Sequence, residues 1–370
     1  MAIRLLFAFV FLLSACTDRG STVLMPSAIG IGTIHRVFVA TERMPDETGW
    51  FGADRSEERR YLTIDVSVPP THKAGQIKAG YRNPNPQRSF VVAERSDFAS
   101  NTQFRTELGA SLKARASHDR EVVLYVHGYN NSFLDGVYRS AQLMHDFELP
   151  GEVVHFAWPS AAHPLGYTYD RDSLMIARDG LEQTLRDISA SGAKRIILVA
   201  HSLGTMLSME TLRQIEIREP GWSRRHLGGV VLISPDLDVE LFRTQAGRIS
   251  ELPQPFAIFV SQKDRVLALS SLINGVGNRL GNLADLVALA DFPATVLDVS
   301  EFSAGAGGHF TAGTSPALIN ILNRSAEVDN AFQLDRAGKT GLLSGTILTV
   351  QKATTVILSP DVLVTGKRLN

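Results

Sequence analysis

Apolar residues in this chain fall into short, unbroken runs, and between the runs they return every three or four positions. The runs at residues 37–40, 121–126, 153–158, 196–200, 229–234, 256–260 and 295–299 predict strands, being too short for helices and rich in β-branched side chains. Residues 61–68 predict another, with partial alternation at Leu62, Ile64, Val66 and Val68, ended by Pro69-Pro70. Helical spacing covers residues 132–147, 173–189 and 205–217. In the second of these, Leu174, Ile176, Ala177, Leu181, Leu185 and Ile188 share one face. Residues 71–90, with Gly75, Gly80, Pro84 and Pro86, read as a loop region. Continuously apolar strands alternating with amphipathic helices predict an α/β fold, a mostly parallel central sheet covered by helices on both faces. Sites in such sheets lie at the carboxyl ends of the strands.

The two ends of the chain break this rhythm. Arg4 precedes an apolar stretch from Leu5 to Leu13, then Ser14-Ala15-Cys16. A basic residue, a short apolar core and small residues form a bacterial secretory signal. The stretch is shorter than the ~20 residues that span a bilayer as a helix. Leu13-Ser14-Ala15-Cys16 resembles the lipobox of bacterial lipoproteins, which implies cleavage before Cys16 and diacylation of its thiol; the competing reading is a plain signal with an incidental cysteine. Thr17, rather than Asp, follows, and this implies an envelope protein lipid-anchored in the outer membrane, facing the periplasm. The division expected is a signal peptide at 1–15, a Ser-, Gly- and Pro-containing tether at 16–33, a catalytic-type domain at 34–325 and an extension at 326–370. Within the extension, residues 345–350 and 354–358 are β-rich and suited to a hairpin through Gln351-Lys352-Ala353, which could pair with a sheet edge, bind a partner or stand apart.

Composition narrows the partners. The chain has 370 residues, enough for one large or two ordinary domains. Its 37 basic and 38 acidic residues leave a net charge of −1, which gives no reason to expect nucleic acid or another polyanion. One cysteine rules out an intramolecular disulfide.

The most chemically specific segment is Ala200-His201-Ser202-Leu203-Gly204, between the apolar run at 196–199 and a helical stretch. Strand, sharp turn with Ser at its apex, then helix is the context of a nucleophile elbow, in which helix and strand come so close that only small residues fit on either side of the Ser. Ala200 and Gly204 meet that need. A Ser hydroxyl requires a base, and the base an orienting acid, which follow the nucleophile in the order Ser, acid, His. Downstream histidines are His226, which precedes a strand, and His309, which follows the last one in Gly305-Ala306-Gly307-Gly308-His309; His309 is the expected base. Asp264, after the 256–260 run, is the first candidate for the acid and Asp236, in Ser234-Pro235-Asp236, the second; Asp238 is nearby, and Asp298 is expected to shape the His309 loop. The oxyanion is expected at the backbone N–H groups of Leu203 and Tyr129, the latter in His127-Gly128-Tyr129-Asn130-Asn131, with Asn130 next. Asn130-Asn131 also suits a helix cap, and His127 reads as a loop organiser. Gly275-Val276-Gly277-Asn278-Arg279-Leu280-Gly281 has the wrong spacing and context for a dinucleotide loop. The histidines look scattered, so neither a metal nor a cofactor is predicted.

His127-Gly128-Tyr129-Asn130-Asn131-Ser132-Phe133, Phe156-Ala157-Trp158-Pro159-Ser160, Tyr169-Asp170-Arg171, the elbow, Ser234-Pro235-Asp236 and Gly308-His309-Phe310 occur in this order in a bacterial α/β-hydrolase family, esterase/lipase-like and of unknown function, which the chain resembles from about residue 37 to 310. The resemblance implies an α/β-hydrolase fold and a triad of Ser202, His309 and Asp264, without naming a substrate. The apolar segment at 266–292 is a lid, an acyl-binding wall or an ordinary covering element. The expected activity is hydrolysis of a carboxylic ester or thioester, on a small-molecule or lipid substrate, through an acyl-enzyme. The alternatives are a non-catalytic envelope module that binds or scaffolds through this fold, and a serine peptidase.

Overall fold

The computed structural model describes residues 19–81, 84–273, 278–283, 285–302, 309–323, 345–350 and 353–358. The signal peptide, Cys16, the start of the tether, the glycines before His309 and most of the extension lie outside the described residues.

The strands are β1 (Thr33–Pro45), β2 (Phe51–Val68), β3 (Val91–Phe98), β4 (Glu121–Val126), β5 (Glu152–Ala157), β6 (Arg195–His201), β7 (Leu227–Ile233), β8 (Phe256–Val260), β9 (Thr295–Asp298), β10 (Gly345–Val350) and β11 (Ala353–Leu358). They form one sheet in the order β10-β11-β9-β8-β7-β6-β4-β5-β1-β2-β3. The run from β11 to β1 is parallel; β2 and β3 add antiparallel strands at one edge and β10 at the other. β5 lies on one side of β4 and β6 on the other, so the order reverses at β4. Connections leave β4 and β6 toward opposite sides and open a crevice at their carboxyl ends.

Both faces of the sheet are buried, as continuous apolar strands require. In β1, Phe38 and Ala40 enter one core with Leu124, Leu198 and Leu207, while Val37 and Val39 enter another with Phe133, Val137 and Val153. Helix Leu203–Arg218 buries residues on nearly every side, including Leu203, Leu207, Met209, Leu212 and Ile215, because helix Arg178–Ala190 packs over it. Helix Phe133–Asp146 starts at a capping box: the Ser132 hydroxyl accepts from the Asp135 amide, and the Asp135 carboxylate accepts from the Ser132 amide. The cap is therefore Ser132 and not the asparagines before it.

Four differences from the pattern have physical causes. The helical stretch predicted at 173–189 is two helices, Tyr167–Ile176 and Arg178–Ala190, meeting at Ala177. β3 and the first half of β2 carry too many charged residues to read as strands; they are stabilised by pairing at an exposed edge. Helix Asn101–Ala114, capped by Ser100, is likewise too polar for a clear apolar stripe. The tether reading of 16–33 meets a docked segment from Arg19 onward: the Trp50 indole donates to Thr22 O, the Met25 amide to Val92 O, and the Ser132 hydroxyl to Arg19 O.

β10 and β11 make the predicted hairpin, and β11 extends the sheet beside β9. Val356 and Leu358 are buried in a cluster with Phe259, Leu297 and Leu318. A chain ending at residue 340 should lose about 3–6 kcal/mol of stability, at ~1.5–3 kcal/mol for each of these two buried aliphatic side chains, and aggregate through the bared edge of β9. Urea denaturation measures the first effect and light scattering the second; an unchanged midpoint would mean that the hairpin contributes nothing to the fold.

Candidate active site

Ser202 leaves β6 with φ +52° and ψ −126°, a region that side chains rarely occupy. The turn is held from three directions. Its amide donates to Ile233 O at 3.0 Å, and its carbonyl accepts from the Thr205 amide at 3.0 Å, the Thr205 hydroxyl at 2.7 Å and the Asp236 amide at 3.3 Å. The small residues are required by contact. A Cβ on Gly204 would stand 2.4 Å from His127 O, and one on Gly128 would stand 2.6 Å from the Cβ of Ser202. β4 and β6 thus deliver the Gly128 turn and the Ser202 apex to the same point of the crevice.

Asp264 follows β8 and is buried. Its Oδ1 accepts from the amides of Val266 and Leu267 at 3.0 and 3.1 Å, at the start of helix Arg265–Ile273, which fixes the carboxylate. Its Oδ2 is 2.9 Å from His309 Nδ1. Asp236 is engaged elsewhere: it accepts from the Ser270 hydroxyl at 2.7 Å and the Tyr167 hydroxyl at 3.0 Å and pairs with Arg279 at 3.4 Å. Asp238 caps helix Val239–Ala246. Asp298 accepts from the amide and hydroxyl of Ser300, and that hydroxyl accepts from the Gln262 amide. His226 stacks on Trp222 before β7 starts. His201 brings the end of β6 to His309: its ring centroid is 4.8 Å from that of His309, its Nε2 is 3.2 Å from His309 O, and it packs edge-on to Phe310. Burial, then the neighbouring His309, presses the pKa of His201 well below the usual imidazole value, so its ring is neutral.

The loop after β4 is fixed by groups that periodicity does not reveal. Arg43 is fully buried, and its guanidinium donates to Gly52 O at 2.9 Å, Ser160 O at 3.0 Å and Asn131 O at 2.8 Å. Burial lowers its pKa to about 10, against the pull of the charges on Asp170 and Asp135. The pairing of β1 with β2 shifts register on both sides of Arg43, a bulge of the kind that re-aims a side chain. Asp170 is equally buried; it accepts from the Asn130 amide at 3.2 Å, the Ala161 amide at 2.6 Å and the Ser160 hydroxyl at 2.6 Å. Burial raises its pKa, while these three donors hold it down. The Asn130 amide is thereby consumed, and the Asn131 amide donates to Ser160 Oγ. Of the oxyanion candidates in this loop, Tyr129 is the one whose amide lies outside this network; the Leu203 amide opens its helix and has no intrahelical acceptor. His127 is a loop organiser, stacked on Trp158 with its nitrogens 2.9 Å from Gly128 O and 3.0 Å from Trp158 O. Asp170 was visible only as part of a motif, and the one sequence signal for Arg43 is a charge at the end of an apolar strand.

In the 266–292 segment, Leu267, Leu280 and Leu289 are buried while Leu269 and Val287 are more than half exposed. Gly281, the last residue of the glycine-rich stretch, is a packing glycine, since a Cβ there would meet Leu267 Cδ1 at 2.3 Å and Pro235 N at 2.9 Å. One group suited to a metal, His72, His145 and Asp146, is assembled from residues that look scattered in sequence. Among the described residues no helix is long and apolar enough to cross a membrane.

Residues 100–325 match a family described as alpha/beta hydrolase of unknown function (DUF900). No curated protein matches the sequence. Among solved structures, the chain is similar to a predicted CIB-like hydrolase from Thermoplasma acidophilum (18% identity, 56% of this chain and 87% of that one, TM-score 0.34). It is also similar to a hyperthermophilic esterase from Pyrobaculum calidifontis (13%, 83% and 84%, TM-score 0.36) and an esterase from Pyrococcus furiosus (12%, 86% and 96%, TM-score 0.36).

Replacing Asp170 with Asn leaves Arg43 buried without the charge that acts on it most strongly, and an amide N–H group turned toward backbone donors. Asp170→Asn should therefore cost about 3–5 kcal/mol in urea unfolding, the range for breaking a buried charge pair. A loss under ~1 kcal/mol would show that Arg43 does not depend on Asp170.

Proposed function

This chain belongs to the alpha/beta hydrolase family of unknown function, and from that premise we propose that it is a serine hydrolase of carboxylic esters or thioesters. The observation that carries the reading is the 2.9 Å hydrogen bond between His309 Nδ1 and buried Asp264, with His309 in contact with His201, the residue before the strained Ser202. With Nδ1–H directed at Asp264, Nε2 is the nitrogen free to take a proton. Ser202 Oγ attacks the acyl carbon as its proton passes to His309 Nε2. The backbone N–H groups of Tyr129 and Leu203 receive the oxyanion. The tetrahedral intermediate collapses, the acyl carbon–oxygen or carbon–sulfur bond breaks, and His309 returns the proton to the leaving alcohol or thiol. Water, deprotonated by His309, then attacks the acyl-enzyme and releases the acid, and Ser202 recovers its proton. Asp264 keeps His309 in the required tautomer and orientation. The hydrogen bonds of Asp236 to Ser270 and Tyr167 favour Asp264 over it as the acid.

A fluorophosphonate probe reports an activated Ser without a chosen substrate. The purified chain should label at Ser202, and labelling should vanish in Ser202→Ala and His309→Ala. Asp264→Asn should slow it by about 10³- to 10⁴-fold, and Asp236→Asn by far less. A folded wild type that does not label would sink the enzyme reading and favour the binding-module alternative; a larger loss in Asp236→Asn would reassign the acid.

The proposed address is the bacterial envelope, with the lipid anchor on Cys16 in the outer membrane, facing the periplasm. Its support is the sequence of residues 4–16. Cys16→Ser should move the protein from the membrane to the soluble fraction of a bacterial host, and mass spectrometry of the membrane form should find a diacylated N-terminal Cys. Membrane association that survives Cys16→Ser would overturn the anchor.

A further inference from the structure

The fold gathers three histidines and an aspartate away from the candidate active site. His35 is near the start of β1, His72 follows β2, and His145 and Asp146 end helix Phe133–Asp146. That helix begins beside the oxyanion loop, so its last residues lie toward the other end of the sheet. His72 Nε2 is 2.6 Å from Asp146 Oδ1, and His35 Nε2 is 3.0 Å from His145 Nδ1. The ring of His145 is 5.2 Å from the rings of both His72 and His35. One ligand atom from each of His72, His145 and Asp146 lies within 4.8 Å of the other two. Ligand atoms around a tetrahedral zinc at ~2.0–2.1 Å stand about 3.3 Å apart, so small side-chain rotations bring this set onto one ion.

The surroundings have the features of a metal's outer shell. Asp146 Oδ2 is already fixed by the Gly75 amide at 2.6 Å and Gln142 Nε2 at 2.5 Å, which leaves Oδ1 turned to His72. His35 stands where an orienting partner for His145 is needed, since ligating imidazoles rest their second nitrogen on a hydrogen-bonding neighbour. His35 Nε2, 3.0 Å from His145 Nδ1, is placed to accept that hydrogen bond. His72 also lines a cavity of about 260 Å³, whose other walls include Lys73, Lys78 and Arg88.

We propose that His72, His145 and Asp146 bind a divalent transition-metal ion of the zinc class, with His35 positioning His145. The ion serves the structure. Asp146 O accepts from Asn323 Nδ2 at 2.5 Å, Gln142 Nε2 also donates to Gly313 O at 3.1 Å, and Gly75 packs directly on Thr314. A metal there pins the segment that follows His309 to the helix that follows the oxyanion loop.

The test is calorimetric titration of the chelator-treated, purified chain with zinc chloride, alongside thermal melting. One zinc per chain with micromolar or tighter affinity and a raised Tm is expected. His72→Gln and His145→Gln should each weaken binding at least tenfold and remove the rise in Tm. His35→Gln should weaken it about 10-fold, as outer-shell changes do. His309→Ala, which removes an imidazole of the candidate active site, should leave the affinity unchanged. Circular dichroism of the metal-free variants separates a lost ligand from a lost fold, and His35→Gln carries the test if the ligand variants unfold. No zinc uptake by the wild type, equal uptake by the His72→Gln/His145→Gln double variant, or loss only in His309→Ala would each overturn the assignment.

Discussion

A buried guanidinium and a buried carboxylate hold the candidate active site together. Arg43 ties three separate backbone segments through Gly52 O, Ser160 O and Asn131 O, and Asp170 collects the donors of two of the same loops. Neither group tolerates burial alone. Each is stabilised by the other's charge and by three hydrogen bonds, with Arg43 Nε left without a partner, so the loops must arrive in one arrangement to supply those bonds. The consequence is local strain. Asn130 is held at φ +55°, and Tyr129 stands before it with its amide outside the network. A flexible loop could not present that amide at a fixed point. Here the electrostatic demand of the interior sets its position.

The second constraint is steric. At the reversal of strand order, β4 and β6 end side by side, and the backbones beyond them meet at Gly128 and Gly204 without space for a Cβ. Ser202 and Ser234, which follow β6 and β7, both have positive φ. Positive φ in non-glycine residues persists only where surrounding contacts over-determine it. Among the described residues, Asn130, Ala162, Ser202 and Ser234 follow the adjacent parallel strands β4, β5, β6 and β7 at their carboxyl ends, where the candidate site lies. His201 extends the same logic. Neutral and buried, it packs the end of β6 against the backbone of His309.

The two candidate acids show what burial does to equivalent sequence signals. Both follow a strand, and both are buried. Helix Arg265–Ile273 takes one oxygen of Asp264 at its N-terminus and leaves the other for His309. Asp236 spends its oxygens on Ser270, Tyr167 and Arg279, which joins the Tyr167 helix to the segment around Gly281. One carboxylate meets the ring of His309; the other ties the covering elements to the sheet.

The core strands from β4 to β9, the parallel sheet and the strand–turn–helix at Ser202 with its glycine were legible in the sequence, and His309 stood out there as a candidate. Each depends on local chemistry: apolar runs of strand length, a small residue at a required offset, a histidine in a glycine-rich loop after the last core strand. The hairpin of β10 and β11 was legible for the same reason, but its place beside β9 was not. What the sequence left open is what depends on atoms brought together from far apart. Choosing between Asp264 and Asp236 takes the position of a ring 45 residues away from the first. Arg43 and Asp170 look like surface charges until a bulge and a crossover turn them inward, and His35, His72 and His145 look scattered until β1, β2 and a helix end converge. Periodicity reports which face of an element is buried, because burial is an average over many neighbours. It does not report which polar atom meets which, because a hydrogen bond is decided by one partner at one distance, and the tertiary structure alone supplies that.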